Sequence, residues 1–442
     1  MVYEIYKRKR EYRWKIEIKQ LLRFIHCGCK VNAYETNAMI DIFKNDGYII
    51  GNFNEYADIY VVNTCTVTAM SDKKSRQILR RAKHLNPNSI LCAVGCYAQV
   101  AKEDLEKIED IDIILGNLEK KDILVKIEEF IKNKEKITNV NNIMKLKPYE
   151  NYDGIAFTSH ARAEIKIQDG CDRFCSYCII PYARGPVRSR KAEDVINEVK
   201  EIAKSGAKEI VITGIHISSY GKDFKDTDYK LIDLLEEINK IEGIKRIRLG
   251  SLEPRVITQD FVKRLVKLDK ICNHFHLSLQ SGCDETLKRM NRKYTTEEFK
   301  TIVKLLRDNI PQVALTTDVI VGFPGETDDE FTQTVEFLKD IKFSKMHIFK
   351  YSKRQGTPAA TYPNQVSDEK KEERSNILLE MSDKNEKEFA EQYLGKEIEV
   401  LFENETEGHT TNYIKVIREG NGEKVEIKNI IPKEWKYEAL YV

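Results

Sequence analysis

Cys171, Cys175 and Cys178 stand in the run Gly170-Cys-Asp-Arg-Phe-Cys-Ser-Tyr-Cys-Ile-Ile-Pro181, a C-x3-C-x2-C spacing with Tyr177 directly before the last cysteine. Three thiolates this close can hold three irons of a [4Fe-4S] cube and leave the fourth iron without a protein ligand. An open iron can bind a small molecule and pass it an electron, at a potential tuned by burial and hydrogen bonds. A structural zinc site would need a fourth Cys or His a few residues away; His160 and His216 are the nearest histidines and both are too distant. A disulfide would need an oxidising compartment. Residues Met1 to Arg23 mix Lys, Arg, Glu and Tyr and lack the apolar core of a signal peptide. The spacing therefore points to an open iron-sulfur cluster.

Cys29, Cys65 and Cys96 form a second, dispersed set. Their contexts are Phe24-Ile-His-Cys-Gly-Cys29, Ile59-Tyr-Val-Val-Asn-Thr-Cys65 and Ile90-Leu-Cys-Ala-Val-Gly-Cys96. Each reads as a strand, a turn and a helix-like stretch, as in a βαβ repeat. Parallel strands present their carboxyl ends on one edge, so cysteines far apart in sequence can converge there and suit a second three-ligand cluster. Cys27 and Cys92 fall on the strands, and Cys272 and Cys283 have no cysteine neighbours; all four read as core thiols.

The elements that must position these cysteines follow from length and pattern. A chain of 442 residues with 41% apolar content predicts two or three domains around sizeable cores. No apolar stretch approaches a membrane span, which predicts a soluble, cytoplasmic protein with no membrane partner. The net charge is only +2, so a polyanionic partner must meet local basic patches. The polar, Lys/Asn-rich stretch 131–151 suits a linker. Beyond it, strands are expected at Ala163–Ile167, Glu209–Thr213, Ile244–Gly250, Asn273–Leu279, Ala314–Val321 and Lys345–Phe349, with a helix over Ala192–Lys204. Six strands with crossover helices read as a parallel, right-handed open barrel, whose chemistry sits in the loops after the strands. Short strands at Glu397–Phe402, Asn412–Arg418 and Lys424–Ile430 close the chain.

The runs Gly28-Cys-Lys-Val-Asn-Ala-Tyr-Glu-Thr36, Asn63-Thr-Cys-Thr-Val-Thr68, Gly95-Cys-Tyr-Ala-Gln99 and the triad at 171, 175 and 178 resemble the radical-SAM methylthiotransferases. Thr213-Gly-Ile-His216 and the first two runs are most similar to the branch acting on N6-threonylcarbamoyladenosine in tRNA. The isopentenyladenosine branch usually differs there, and it is the nearest competing activity. The resemblance implies an α/β fold in three parts: a methylthiotransferase domain over 22–140, an open (β/α)6 radical-SAM partial barrel over 157–389, and a small all-β TRAM-like RNA-binding barrel over 390–442. Residues 141–156 would link the first two, and 1–21 remain an unplaced extension.

It also implies two [4Fe-4S] clusters, one on Cys171, Cys175 and Cys178 and one on Cys29, Cys65 and Cys96, with S-adenosylmethionine serving as radical source and methyl donor. Tyr177, Gly214, His216, Ser251, Glu253, Gln280 and Gly322, in the cluster run or at successive strand ends, are the candidate cofactor contacts. No side chain is assigned as a general base, because the clusters carry the chemistry. The implied partners are tRNA, through its anticodon stem-loop, and an electron donor such as flavodoxin or ferredoxin. Lys73, Arg76, Arg80 and Lys83 recur at helical spacing, and Arg184, Arg188 and Arg190 follow the cluster run; both groups are candidate RNA contacts, against the competing reading of solvated faces or structural ion pairs. Tyr413 and Lys415 are candidates in the terminal module, although from Gly395 onward seven Lys and Arg face ten Asp and Glu. A non-catalytic, RNA-binding redox sensor would also carry clusters, but it leaves the open iron and the polar strand-end loops without a role.

Overall fold

The computed structural model describes residues 20–145, 148–149, 151, 161–420 and 422–442. Residues 1–19 of the unplaced extension, half of the 141–156 linker, the expected barrel start at Phe157, and His160 lie outside the described residues.

Six strands form the first sheet: β1 (Leu21–His26), β2 (Ile49–Gly51), β3 (Ile59–Thr64), β4 (Ile90–Gly95), β5 (Ile113–Leu115) and β6 (Ile137–Asn139). They are all parallel, in the order β2-β1-β3-β4-β5-β6. Helices cover both faces, so β3 is buried at every position and alternate residues feed two cores. Val61 and Cys92 pack with Phe43 of the helix Lys30–Asn45, whereas Tyr60 and Val62 pack with Leu79 of the helix Ala69–Leu85. His26 pairs with Asn63 and Thr64 with Gly95, so the chain leaves β1, β3 and β4 along a single edge.

The second unit contains β7 (Arg162–Asp169), β8 (Arg188–Ser189), β9 (Glu209–Gly214), β10 (Arg246–Leu249), β11 (His274–Gln280), β12 (Ala314–Val321) and β13 (Lys345–Lys350). The six expected parallel strands are present, and the short β8 adds an antiparallel edge. The ladder runs β8-β7-β9-β10, then β11-β12-β13. Between β10 and β11 only the isolated bridges Ile247–Ile271 and Leu252–Leu277 continue it. One apolar core nevertheless spans both halves, from Ile165 and Ile210 to Leu277, Leu315 and Val319.

A long helix, Asp368–Glu391, capped by Ser367, leads to the terminal sheet. Its strands are β14 (Ile398–Phe402), β15 (Glu407–Thr410), β16 (Lys415–Ile417), β17 (Glu426–Ile430), β18 (Glu434–Lys436) and β19 (Ala439–Tyr441), ordered β17-β14-β15-β16-β19-β18. The expected strand at Asn412–Arg418 starts later because Thr410 to Ile414 is a turn, with Tyr413 at φ +70° and the Ile414 amide donating to Thr410 Oγ1. The strands β15, β18 and β19 have three or four residues each, too few for a period-two pattern to register. No helix among the described residues is long and apolar enough to cross a membrane.

Candidate active site

The edge shared by β1, β3 and β4 carries Cys29, Cys65 and Cys96. Cys29 takes the N-cap position of the helix Lys30–Asn45, and Cys96 opens the short helix Cys96–Val100. Gly28 lies at φ +90°, and a Cβ there would come within 2.4 Å of Cys65 Sγ, so the Cys29 loop presses directly on the Cys65 thiol. Burial pushes the Cys65 thiol up to about 11, and the charges of Cys96 and Cys29 act in the same direction. Cys29 is exposed at this edge, yet the protein atoms crowded round it raise its thiol, with Arg184 opposing. Asn32 braces the edge, donating to the carbonyls of Cys27 and Thr64 at 2.8 and 3.1 Å, while Asn63 donates to the Asn32 carbonyl.

Arg184 joins this edge to the second triad. It sits on the short helix Ile180–Arg184, which follows Cys178, and it is fully buried. Its Nε donates to Cys96 Sγ at 3.1 Å, and its terminal nitrogens donate to Glu35 at 2.5 and 3.1 Å, Asn32 Oδ1 at 2.6 Å and Asp169 at 3.3 Å. Lys120 and Lys166 also bond Glu35, at 2.5 and 2.7 Å, and Lys166 and Arg188 reach Asp169. Four buried cations thus face two carboxylates. Burial alone would raise the Glu35 carboxyl, but Arg184, Lys120 and Lys166 hold it well below the usual range. Asn117 Nδ2 lies 3.6 Å from Cys96 Sγ. Donors directed at a cysteine sulfur are the kind of contact that tunes a cluster ligand.

The second triad follows β7. Burial raises the Cys171 thiol to about 11 and the Cys178 thiol to about 12, with the charge of Cys175 acting on both in the same direction. Arg292 donates to Cys175 Sγ at 3.4 Å and to the Ser278 carbonyl at 2.8 Å. Tyr177 packs edge-on against the buried Phe323. No group of three or more His, Cys, Asp or Glu among the described residues closes round a single ion. A cube holds its ligands on separate irons, so two mutually influencing thiol triads with donors on their sulfurs fit clusters better than one metal ion.

The loops after the next strands meet this triad. After β9, the His216 amide donates to Gln168 Oε1 at 2.7 Å and Nδ1 pairs with Ser219 Oγ at 2.8 Å. Burial lowers the His216 imidazole to about 4, so at neutral pH its 3.6 Å approach to Glu253 is not an ion pair. Glu253, after β10, is held ionised below its usual range because Arg173 and Arg255 outweigh its burial. Gln280, the last residue of β11, has φ +74°, and Gly322, after β12, has φ +69° with the Lys371 side chain against it. Gly214 closes β9 against Gln168 and Ile217, and Ser251 is exposed.

A model of the Radical SAM superfamily matches residues 165–338, and one of the uncharacterized protein family UPF0004 matches residues 22–116. The threonylcarbamoyladenosine tRNA methylthiotransferase MtaB of Bacillus subtilis is 46% identical over 408 residues, 90% of each chain. The chain belongs to the tRNA methylthiotransferase family of radical-SAM enzymes. The MtaB of Aquifex aeolicus is 41% identical, over 91% of this chain and 98% of its own. A tRNA-2-methylthio-N(6)-dimethylallyladenosine synthase of a Thermoanaerobacter species is 38% identical, over 85% and 80%. The radical S-adenosylmethionine methyltransferase TsrM of Kitasatospora setae superimposes with a TM-score of 0.55 at 15% identity, covering 78% of this chain and 77% of its own, which shows the fold alone. As a radical-SAM enzyme, the methylthiotransferase takes a [4Fe-4S] cluster and S-adenosylmethionine.

Several side chains expected to contact RNA are engaged within this methylthiotransferase. Arg184, Arg188 and Arg190 are buried; Arg190 is clamped by Glu198 and donates to Asn151. Their charges are taken up by Glu35, Asp169 and Glu198 at the junction between the first sheet and the barrel. Arg76 donates to the Tyr97 hydroxyl and Lys83 to the Ser89 carbonyl, which leaves Lys73 and Arg80 as the exposed part of that stripe. Tyr413 stacks on His409 between Arg162 and Arg248, docking the terminal sheet on the barrel, and Lys415 is in a surface pair with Glu407. Sequence reading missed Glu35, Lys120, Lys166, Asp169, Arg173 and Arg292. Glu35, inside the run Gly28 to Thr36, Asp169, next to the cysteine run, and Arg173, inside it, had a positional signal; Lys120, Lys166 and Arg292 had none.

Proposed function

We propose that this methylthiotransferase places a methylthio group on carbon 2 of N6-threonylcarbamoyladenosine next to the anticodon of tRNA. The observation that carries the reading is 46% identity to an MtaB over 90% of both chains, supported by two thiol triads at the carboxyl ends of parallel strands. The domains are assigned as 22–140, 157–389 and 390–442, joined through 141–156.

Cys171, Cys175 and Cys178 would hold the radical-generating cluster, and Cys29, Cys65 and Cys96 a second one. When bound, the clusters and S-adenosylmethionine supply one-electron chemistry, sulfur and methyl at a carbon that has no acidic proton. The protein's own residues bind and exclude water. Tyr177 and Phe323 wall the triad, and Arg292 sets the charge beside Cys175. Glu253, kept ionised, suits an ammonium group of S-adenosylmethionine, while Gly214, Ser251, Gln280 and Gly322 shape the strand-end loops around it. His216, neutral, keeps Nε2 for a hydrogen bond rather than a charge. Exposed Lys73 and Arg80 suit tRNA phosphate, and flavodoxin or ferredoxin would supply the electron.

The test is mass spectrometry of tRNA nucleosides from a host lacking this activity, with and without the gene. 2-Methylthio-threonylcarbamoyladenosine is the expected product; the isopentenyl analogue in its place would overturn the substrate. Cys175→Ala should stop S-adenosylmethionine cleavage and remove about half the iron, as expected for one of two four-iron clusters. Cys65→Ala should remove the other half, keep cleavage and yield no methylthio product.

A further inference from the structure

Phe174 lies between Cys171 and Cys175, yet its side chain faces outward and is 38% exposed. Its backbone is at φ +47°, a left-handed conformation that a bulky L-residue adopts only when its surroundings impose it. The surroundings do so. Asn291 Nδ2 donates to the Phe174 carbonyl at 2.9 Å, and Ser176 is pinned to the Met290 and Arg289 carbonyls at 3.0 and 2.8 Å. Tyr182, two residues before Arg184, is also 38% exposed, and its ring meets that of Phe174 edge to face at 5.8 Å and 77°. Two aromatic rings are thus held in solvent at the mouth of the site, one of them by a strained backbone. Lys222, Arg255 and Lys293 are exposed and Arg173 is half-buried. Lys222 lies within electrostatic reach of Arg173, Arg255, Asp172 and Glu253, Arg173 and Arg255 pair with the buried Glu253, and Lys293 bonds Oδ1 of the Asn291 that holds Phe174. A corner of aromatic faces rimmed by cations matches single-stranded nucleic acid, whose bases stack on rings while its phosphates meet Lys and Arg.

We propose that Phe174 and Tyr182 form a stacking platform for one unstacked base of the RNA substrate, beside the base that is modified. This rests on the tRNA reading above. The platform needs no base-specific hydrogen bond, because every base has a π-face, so it fixes the strand's position and leaves the identity of the target to the pocket.

The experiment uses the full, cluster-loaded chain and an anticodon stem-loop RNA carrying 2-aminopurine in its loop, read by fluorescence and anisotropy. Phe174→Leu and Tyr182→Leu keep apolar volume but remove the π-face; each should weaken binding about ten-fold and restore 2-aminopurine emission, in line with the strength of base–aromatic stacking. Tyr182→Trp should bind at least as well as the wild type. Photocrosslinking of the wild-type protein to a loop containing 5-iodouridine should label the peptide that spans 174–182, a readout independent of any variant. Wild-type quenching with unchanged affinity in both Leu variants overturns the platform and leaves the tRNA reading standing. If the wild type binds no RNA, both readings fail. Loss of iron in the Leu variants without crosslinking of that peptide would make the rings a cover for the cluster. Unchanged RNA affinity with slowed reduction by flavodoxin would make them a docking face for the electron donor.

Discussion

The junction around Glu35 predicts an asymmetry between two substitutions that look equivalent. Arg184→Met and Glu35→Gln break the same bidentate contact, and removing one partner of a buried ion pair costs about 3–5 kcal/mol, mostly by leaving the other charge uncompensated. Among the described residues the charges are unequal in number: Arg184, Lys120, Lys166 and Arg188 face the two carboxylates Glu35 and Asp169. After Arg184→Met, Glu35 still holds Lys120 at 2.5 Å and Lys166 at 2.7 Å, and Asp169 still holds Lys166 at 2.6 Å. The losses are the hydrogen bonds to Asn32, Cys96 Sγ and Asp169 and some packing, none of which leaves a buried charge without a partner, so about 2–3 kcal/mol is expected. Glu35→Gln leaves four buried cations with one carboxylate, and at least about 4 kcal/mol is expected. The double variant restores the original imbalance and should be more stable than Glu35→Gln alone. Native-state hydrogen exchange of the full chain, read on peptides spanning 30–45 and 162–169, measures the local opening free energies. An Arg184→Met loss equal to or larger than that of Glu35→Gln, or a double variant worse than either single, would refute the claim that anions are the scarce component.

Three further outcomes are expected. His216 has a folded value of about 4 against an ordinary 6.5, so the unfolded chain binds the extra proton between those values; the stabilisation is complete above pH 6.5, falls towards pH 4, and amounts to at most about 3 kcal/mol. His216→Asn should therefore flatten the acid limb of a urea-midpoint profile. Arg292→Gln removes a cation from Cys175 Sγ and should shift the potential of a cluster on that triad more negative by on the order of 50 mV, read by spectroelectrochemistry on a Cys65→Ala background. Gly28→Ala should lower the iron that Cys29, Cys65 and Cys96 retain, because its Cβ would meet Cys65 Sγ at 2.4 Å from a left-handed backbone; iron content against Cys65→Ala measures it.

Local patterns made much of the scaffold legible. The C-x3-C-x2-C run, the strands ending before Cys29, Cys65 and Cys96, and the helix Ala192–Lys204 are each written within a dozen or so residues. Apolar runs bounded by glycine encode parallel strands, and parallel strands bring their carboxyl ends together whatever lies between them. The partners of charged side chains are not written locally. Lys166 sits in the alternating run Ala163-Glu-Ile-Lys-Ile167, where its position reads as solvent-facing, yet the helix Lys30–Asn45 covers that face and buries it. Arg184, Arg188 and Arg190 read as a basic patch for RNA, and the same packing turns them inward. Glu35 meets Lys120 and Lys166 across 85 and 131 residues. A charge in a sequence states that it needs water or a counter-charge; which of the two it obtains depends on where the first domain docks against the barrel, and only the tertiary structure decides that.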